Sequence, residues 1–387
     1  MLSAPTLPNT TPNIAPNTVS LQLGPRSYDI VVERGLLARV GPEAAQRLAG
    51  GDGAGRRAVI ITQPNIAKLY AETVTNSLRA AGFHVHTIAL AAGESRKTLR
   101  TVEKAYARLR ELSADRRTVI FALGGGVIGD IAGFVAATYN RGLDFVQIPT
   151  TLLAQVDSSV GGKVGVNFGP GKNLIGSFYQ PRFVAIDPDT LATLTGRERR
   201  SGFAEVLKYG IINDKSFLDT LVGEGECLLS LQSALLEQVI AQSCRIKARI
   251  VEQDEQEGGL RAILNFGHTI GHALEAVTHY RMFTHGEAVA LGMASAALIG
   301  EEIGLTPPAD VAELMHALHV FGFGTQLPSM LSQSGILELL SLDKKSVGGK
   351  ARFVLMDKIG HVTPGHAVPC AVIERALVRQ QALGHAE

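Results

Sequence analysis

The chain has 387 residues, 45% of them hydrophobic, enough for two ordinary domains with separate cores. With 37 Lys+Arg against 36 Asp+Glu the formal net charge is +1, so no broad field of either sign can hold nucleic acid or an anionic membrane non-specifically. Three scattered cysteines, Cys227, Cys244 and Cys370, exclude a disulfide scaffold or a cysteine-rich zinc site and suit a reducing, cytoplasmic setting.

The first 19 residues are uncharged and rich in Pro, Asn and Thr. They lack the charged start and long apolar core of a secretory signal and the arginines of a transit peptide, and read as a disordered tail. From about 20 to 190, short apolar runs alternate with helical stretches. The runs 56–63, 83–90, 118–125, 143–151 and 182–188 read as strands, separated by helix-like segments such as NIAKLYAETVTNSLRAAG and TLRTVEKAYARLRELS. This alternation predicts βαβ units and a mostly parallel sheet, with ligands at the carboxyl ends of the strands.

Gly124, Gly126 and Gly129 form G-x-G-x-x-G directly after the strand at 118–125 and before a helix. Glycines there permit a tight turn and close approach to a dinucleotide's phosphates at the helix start; the bland alternative is a plain turn. The usual acidic partner fails, because Asp144, about twenty residues on, opens a strand instead of closing one. A standard Rossmann reading is therefore not expected.

The next stretch gathers Arg141, Thr150, Thr151, Asp157, Lys163, Lys172 and Asn173 in glycine-rich, weakly periodic sequence. Singly, each lysine reads as a solvated surface residue. Their density on what read as loops favours a polyanionic ligand.

Beyond about 190 the strand signal fades. Helical periodicity covers 216–257, 268–279, 286–304 and 309–321, with one β-like piece at 351–360. The expected organisation is a tail (1–19), an α/β dinucleotide-binding domain (20–190) and a helical metal- and substrate-binding domain (191–387). The longest apolar runs, such as 288–300, fall short of a membrane span.

Glu205 and Lys208 stand one helical turn apart, which by itself describes an ordinary surface ion pair. His268 and His272 share a helical face, and His285 follows soon after. Glu205 with two histidines would make a His₂Glu set, a usual catalytic zinc arrangement with an open position. The other histidines show no comparable company.

Several blocks carry a family resemblance. GESRKT (93–98), GGGVIGDIAGFVAATYNRG (124–142), IPTTLLAQVDSSVGGKVGVN (148–167), GKNLIGSFYQP (171–181), SGFAEVLKYG (201–210), LNFGHTIGHALE (264–275), HGEAVALGM (285–293) and DKK (343–345) closely resemble 3-dehydroquinate synthases. The blocks arrive in the family's order between about 25 and 375. The resemblance implies a Rossmann-like α/β NAD-binding domain followed by an all-α metal- and substrate-binding domain. It implies a lyase of the shikimate pathway, turning 3-deoxy-D-arabino-heptulosonate 7-phosphate into 3-dehydroquinate and phosphate. Transient oxidation by NAD, phosphate elimination, re-reduction and an intramolecular aldol closure make up the cycle.

By matching motif positions, the resemblance assigns Glu205, His268 and His285 to zinc, with cobalt as a substitute. It sets Lys163, Asn173, His272 and one of Lys344 and Lys345 (Lys345 by preference) around the phosphate, with Arg141 reaching in from a second subunit of a homodimer. Lys247, Arg261 and Asn265 would hold the substrate carboxylate and one hydroxyl end, with Asp157 and Lys208 on ring hydroxyls. Glu94, Lys97, Gly124, Gly125, Gly126, Asp130, Thr150, Thr151, Lys172 and Thr193 would contact NAD. Two departures stand out: Gly196 and Arg199 ahead of Glu205, and Gln63–Pro64 where an adenosine contact is expected. The alternatives are a related sugar phosphate cyclase making a valiolone or deoxyinosose, a metal-dependent polyol dehydrogenase, or a non-catalytic NAD-sensing scaffold.

Overall fold

The computed structural model describes residues 17–48, 53–91, 93–169, 171–342 and 352–383. The DKK block, including Lys344 and Lys345, lies outside the described residues, as does most of the expected tail. The chain opens with the antiparallel pair β1 (Thr18–Leu21) and β2 (Tyr28–Val32), which the sequence reading did not foresee. Thr18 and Val19 therefore leave the expected tail: they pair with Val31 and Ile30, and Val19 is buried.

Then follow α1 (Val40–Arg47), β3 (Arg57–Thr62), α2 (Pro64–Ile66), α3 (Glu72–Ala80), β4 (His84–Ala89), α4 (Leu99–Glu111), β5 (Val119–Gly124), α5 (Gly126–Thr138) and β6 (Asp144–Pro149). Next come β7 (Lys163–Phe168), β8 (Gly171–Phe178) and β9 (Phe183–Ile186). One seven-stranded sheet has the order β1-β2-β9-β6-β5-β3-β4, parallel throughout except for β1. Its central strands read as unbroken apolar runs because helices cover both faces.

Chain order reverses between β3 and β5. From β3 the chain moves outward to β4, and from β5 it moves the other way to β6, leaving a crevice at their carboxyl ends beside Gly124. The glycine turn thus follows the second strand of the switch pair. Asp144, at the start of β6, lies at the far end of the sheet and is occupied by Arg56 (2.6 Å) and Arg182 (2.9 Å).

The lysine-rich stretch read as loops is instead a hairpin, β7–β8, paired antiparallel from Lys163↔Phe178 to Phe168↔Gly171. Glycines weakened the strand signal there, yet they are what lets the ribbon close. A methyl at Gly165 would stand 2.6 Å from the Ile175 carbonyl oxygen, and one at Gly176 would stand 2.4 Å from that of Val164.

The remainder is helical: α6 (Gly196–Asn213), α7 (Lys215–Gly223), α8 (Gly225–Leu229), α9 (Leu236–Gln253), α10 (His268–Val277), α11 (His285–Glu302), α12 (Pro308–Val320) and α13 (Gln333–Leu342). The expected helix at 216–257 divides into three, broken at Gly223–Gly225 and at Leu231, whose φ is +61°. Where one β-like run was foreseen, β10 (Arg352–Lys358) and β11 (His361–Ala367) form a hairpin ahead of α14 (Cys370–Ala382). α11 is buried nearly all round and forms the axis of this half. Its core is continuous with one end of the sheet, since Leu21, Ile30, Val184 and Ile186 pack in the same cluster as Phe203, Leu274 and Met293. No helix of the described residues is long and apolar enough to cross a membrane.

Candidate metal and dinucleotide site

Three helix segments converge on one buried carboxylate. A capping box between Thr195 and Glu198 starts α6, and nine residues later Glu205 is fully buried. Lys208, one turn on and 1% exposed, lies against Glu205 Oε2 as an ion pair, yet neither carboxylate oxygen receives a well-directed hydrogen bond. A buried carboxylate left in that state is costly unless a cation completes it.

His268 opens α10 after Gly267, whose φ is +78°. Its Nδ1 stands 3.1 Å from the Phe266 carbonyl, so the N–H belongs there and Nε2, 3.6 Å from Glu205 Oε1, keeps its lone pair for a cation between them. Burial first, then the Lys208 ammonium and the neighbouring imidazoles, hold His268 well below the ordinary histidine pKa, keeping it a neutral ligand. His285 opens α11 after the Thr284–Glu287 capping box, with Nε2 3.8 Å from the same oxygen. The three donor atoms lie within 4.8 Å of one another. Around a tetrahedral ion with bonds of ~2.1 Å, ligand atoms sit about 3.4 Å apart, so small adjustments would close this set on a cation.

His272 does not join that set. Its ring is exposed and lies edge-on to His268, with centroids 5.3 Å apart. It belongs to a second group, His272, Glu275 and His285, whose carboxylate is already engaged by Lys172. Glu205 is fully buried, and its Oε1 faces both histidine Nε2 atoms with no hydrogen-bond donor, which makes the first group the better cation site.

Beside it runs a line of charged partners. Lys247 donates to Asp157 Oδ1 (2.5 Å) and to the Asp157 carbonyl (2.6 Å). Burial opposes the Asp157 charge, but Lys247 and Lys208 outweigh it and hold the carboxyl well below the usual range. Arg261, 1% exposed, donates to the Gly161 carbonyl at 3.0 Å. A cleft of about 530 Å³ is lined by Asp130, Lys163, Lys172, Asn173, Glu257 and Asn265, among others. Arg141 is exposed on the turn Tyr139–Arg141 and is not among the residues lining that cleft.

Glu257 was missed in the sequence. It pairs with Lys163 at 2.5 Å and accepts from Asn265 Nδ2 at 3.0 Å, with φ at +61°. The signal was the Gly258–Gly259 pair behind it, which ends the helical periodicity and returns the chain toward the cleft.

At the sheet's carboxyl ends, Gly125 precedes α5 with no side chain capping the first turn. Asp130, on that helix, contacts the buried Lys97 ammonium, which also meets Asn173 Oδ1. Burial pushes the Asp130 carboxyl up to about 6, the Lys97 charge offsetting only part of it. Lys97 thus faces Asp130 and the hairpin, whereas Glu94 accepts from Asn167 at 2.9 Å. The Thr150 N–H donates to the Gly124 carbonyl while its hydroxyl is buried without a partner; Thr151 Oγ1 accepts from Ala154 N–H. Thr193 Oγ1 shares a 2.7 Å hydrogen bond with the Tyr70 hydroxyl.

The 3-dehydroquinate synthase N-terminal family profile matches residues 87–201, and the 3-dehydroquinate synthase C-terminal profile matches 202–346. A 3-dehydroquinate synthase from Pelotomaculum thermopropionicum is 49% identical over 343 residues, covering 89% of this chain and 91% of that protein. The chain belongs to the 3-dehydroquinate synthase family. Among solved structures, a 2-deoxy-scyllo-inosose synthase complexed with carbaglucose-6-phosphate, NAD+ and Co2+ superimposes with a TM-score of 0.84 at 27% identity, covering 93% of this chain and 99% of that one. A 2-epi-5-epi-valiolone synthase from Streptomyces hygroscopicus subsp. jinggangensis, with NAD+ and Zn2+ bound, gives 0.81 at 28%, covering 91% and 96%. The dehydroquinate synthase family therefore shares its fold with cyclases that make other rings.

Proposed function

We propose that this chain is a 3-dehydroquinate synthase, a lyase converting 3-deoxy-D-arabino-heptulosonate 7-phosphate to 3-dehydroquinate and inorganic phosphate in aromatic amino acid biosynthesis. The observation that carries this reading is 49% identity to a 3-dehydroquinate synthase across nearly its whole length, against 27% and 28% for cyclases of other products.

Two groups would complete the site. Glu205, His268 and His285 would hold a divalent cation, supported by the buried Glu205 Oε1 that faces both Nε2 atoms without a donor; two imidazoles and a carboxylate suit zinc, with cobalt as a substitute. The uncapped first turn of α5 and the unpartnered Thr150 hydroxyl fit the central diphosphate of NAD+. Gly124, Gly125, Gly126, Asp130, Thr151, Glu94, Lys97, Lys172 and Thr193 would line the rest of its path. When bound, NAD+ would supply reversible hydride transfer at one substrate carbon, and the cation would supply Lewis acidity at the hydroxyl concerned.

The chain's own residues do the remainder by position and charge. Lys247 and Arg261, held rigidly by Asp157 and Gly161, would bind the substrate carboxylate with Asn265, while Asp157 and Lys208 take ring hydroxyls. Lys163 and Asn173 on the hairpin would hold the phosphate. His272, with its exposed ring, would exchange a proton with a phosphate oxygen as the group leaves. Arg141 would come from the neighbouring subunit of a homodimer, which accords with its position outside its own chain's cleft. The helical metal domain would begin near residue 190, and the enzyme would work in the cytoplasm.

Incubation with the heptulosonate phosphate, NAD+ and zinc should release inorganic phosphate without net NADH. Accumulating NADH would indicate a dehydrogenase. Phosphate release from other sugar phosphates alone would indicate a related cyclase, and no release from any would indicate a scaffold.

A further inference from the structure

His285 faces a carboxylate on each side. Its Nε2 is turned to Glu205, and its Nδ1 stands 3.5 Å from Glu275 Oε1. Glu275 lies on α10, two turns along from His268, and is 5% exposed. A buried glutamate on a helix that already supplies one cation ligand needs a reason to be charged, and its neighbours supply one. Lys172, from β8 of the hairpin, donates to the same Oε1 at 3.4 Å. That ammonium also sits 4.2 Å from the centre of the Tyr280 ring, which cradles it. Tyr280 and its predecessor His279 both adopt positive φ, +57° and +52°, and the Tyr280 N–H donates to the Glu275 carbonyl at 2.7 Å, so the helix end is bent to bring the ring there.

We propose that Glu275 is the positioning residue of the cation site. Its carboxylate accepts a hydrogen bond from the His285 Nδ1–H, which sets the tautomer leaving Nε2 as ligand and aims the ring at Glu205. Lys172, seated over the Tyr280 ring, in turn fixes the Glu275 carboxylate in place. The inference rests on the Glu205–His268–His285 cation reading. Because His285 belongs to both candidate donor groups, it also decides between them: one nitrogen serves the ion and the other serves Glu275. A carboxylate behind a ligating histidine fixes ring orientation and raises ligand basicity, and its loss lowers metal affinity about 10–100-fold.

The test is Co2+ binding to metal-stripped protein, followed by calorimetry and by the visible absorption of the bound ion, with circular dichroism confirming the fold. Glu275→Ala should bind Co2+ about 10–100-fold more weakly, with an altered spectrum. Glu275→Gln, whose amide oxygen still accepts from Nδ1, should recover part of that loss. Lys172→Met should weaken binding less than Glu275→Ala while shifting the spectrum the same way. If Glu275→Ala binds as tightly as wild type with an unchanged spectrum, the proposal is overturned. Complete loss of binding in Glu275→Ala, matching Glu205→Gln, would make Glu275 a direct ligand and overturn it too. Wild type that fails to bind Co2+, or Glu205→Gln that binds normally, would instead overturn the cation reading on which it rests.

Discussion

Gly292 lies so close beneath Gly267 that a methyl group on it would stand 1.9 Å from the Gly267 carbonyl oxygen. Gly292 shares α11 with His285, and Gly267 directly precedes His268, so this contact sets how near the two histidines come. On the other side, Gly286 touches Ser201 in the same way, at 2.0 Å from its carbonyl oxygen, tying α11 to the helix that carries Glu205. The donor set is assembled by backbone packing on backbone.

Gly292→Ala should therefore push α11 off α10 and separate His268 from His285. Overpacking of this kind costs roughly 1–3 kcal/mol, and here the obstacle is main chain, so the cost should reach at least the upper end. Zinc affinity should fall even at temperatures where the variant is folded. Gly196→Ala, where a methyl meets nothing within 4 Å, is the control and should leave both unchanged. Calorimetric zinc titration alongside thermal melts checks the pair.

Glu205 without a cation is a buried carboxylate whose Oε1 faces two imidazole nitrogens and whose Oε2 pairs with Lys208, so metal removal should lower the melting temperature, and zinc should restore it in a concentration-dependent way. His268→Ala should abolish zinc binding and be insensitive to chelator. His272→Ala should keep the metal and lose turnover. Metal analysis with thermal melts and phosphate release distinguishes them, and equal metal loss in both variants would refute the division of roles.

Asp157 and Lys247 form a pair whose side chains are 28% and 7% exposed. Lys247→Met removes one partner of a mostly buried ion pair. The partial exposure of Asp157 and its neighbour Lys208 set the expected loss toward the low end of the roughly 3–5 kcal/mol seen for such breaks. Adding Asp157→Asn should restore part of it. Urea unfolding of the single and double variants measures the coupling, and simple additivity would show that the pair contributes no joint stability.

Asp254 organises the loop that presents Glu257 and Arg261. Its carboxylate accepts from the backbone N–H groups of Gly258 (2.7 Å), Gly259 (2.7 Å) and Arg261 (2.9 Å). Burial opposes its charge, but these bonds prevail and lower its pKa. A lowered carboxyl pKa gives stability that is fully present above the ordinary value near 3.8 and is lost as pH falls through the folded value. Asp254→Asn should thus melt below wild type near neutrality, with the gap narrowing as pH drops under about 4. A gap that is constant with pH would remove the charge from the explanation.

Much of this molecule is legible along one dimension. Strands β3, β4, β5, β6 and β9 stand where apolar runs alternate with helical periodicity, because a sheet covered on both faces requires such runs. Glu205, Lys208, His268 and His285 are singled out by the resemblance of their motif blocks, since by spacing alone Glu205–Lys208 reads as a surface ion pair and His268 pairs with His272. Less legible were β1 and β2, an antiparallel pair outside the βαβ alternation, and the hairpin β7–β8, whose glycines mask its strand character while permitting its close backbone contact.

The sequence by itself determined the fold class and, through its motif blocks, the family, and that resemblance named Glu205, His268 and His285 as the expected cation ligands. Only the tertiary structure decided the rest. It brought Glu257 to Lys163 across 94 residues and turned Lys97 to Asp130 and Asn173. It also set Lys172 on Glu275 behind His285. Spacing along a helix told that His268 and His272 share a face. It could not tell that His285, 17 residues later, would take the place beside His268, because that depends on how closely two helix backbones approach, and a glycine-to-carbonyl contact between α10 and α11 fixes it.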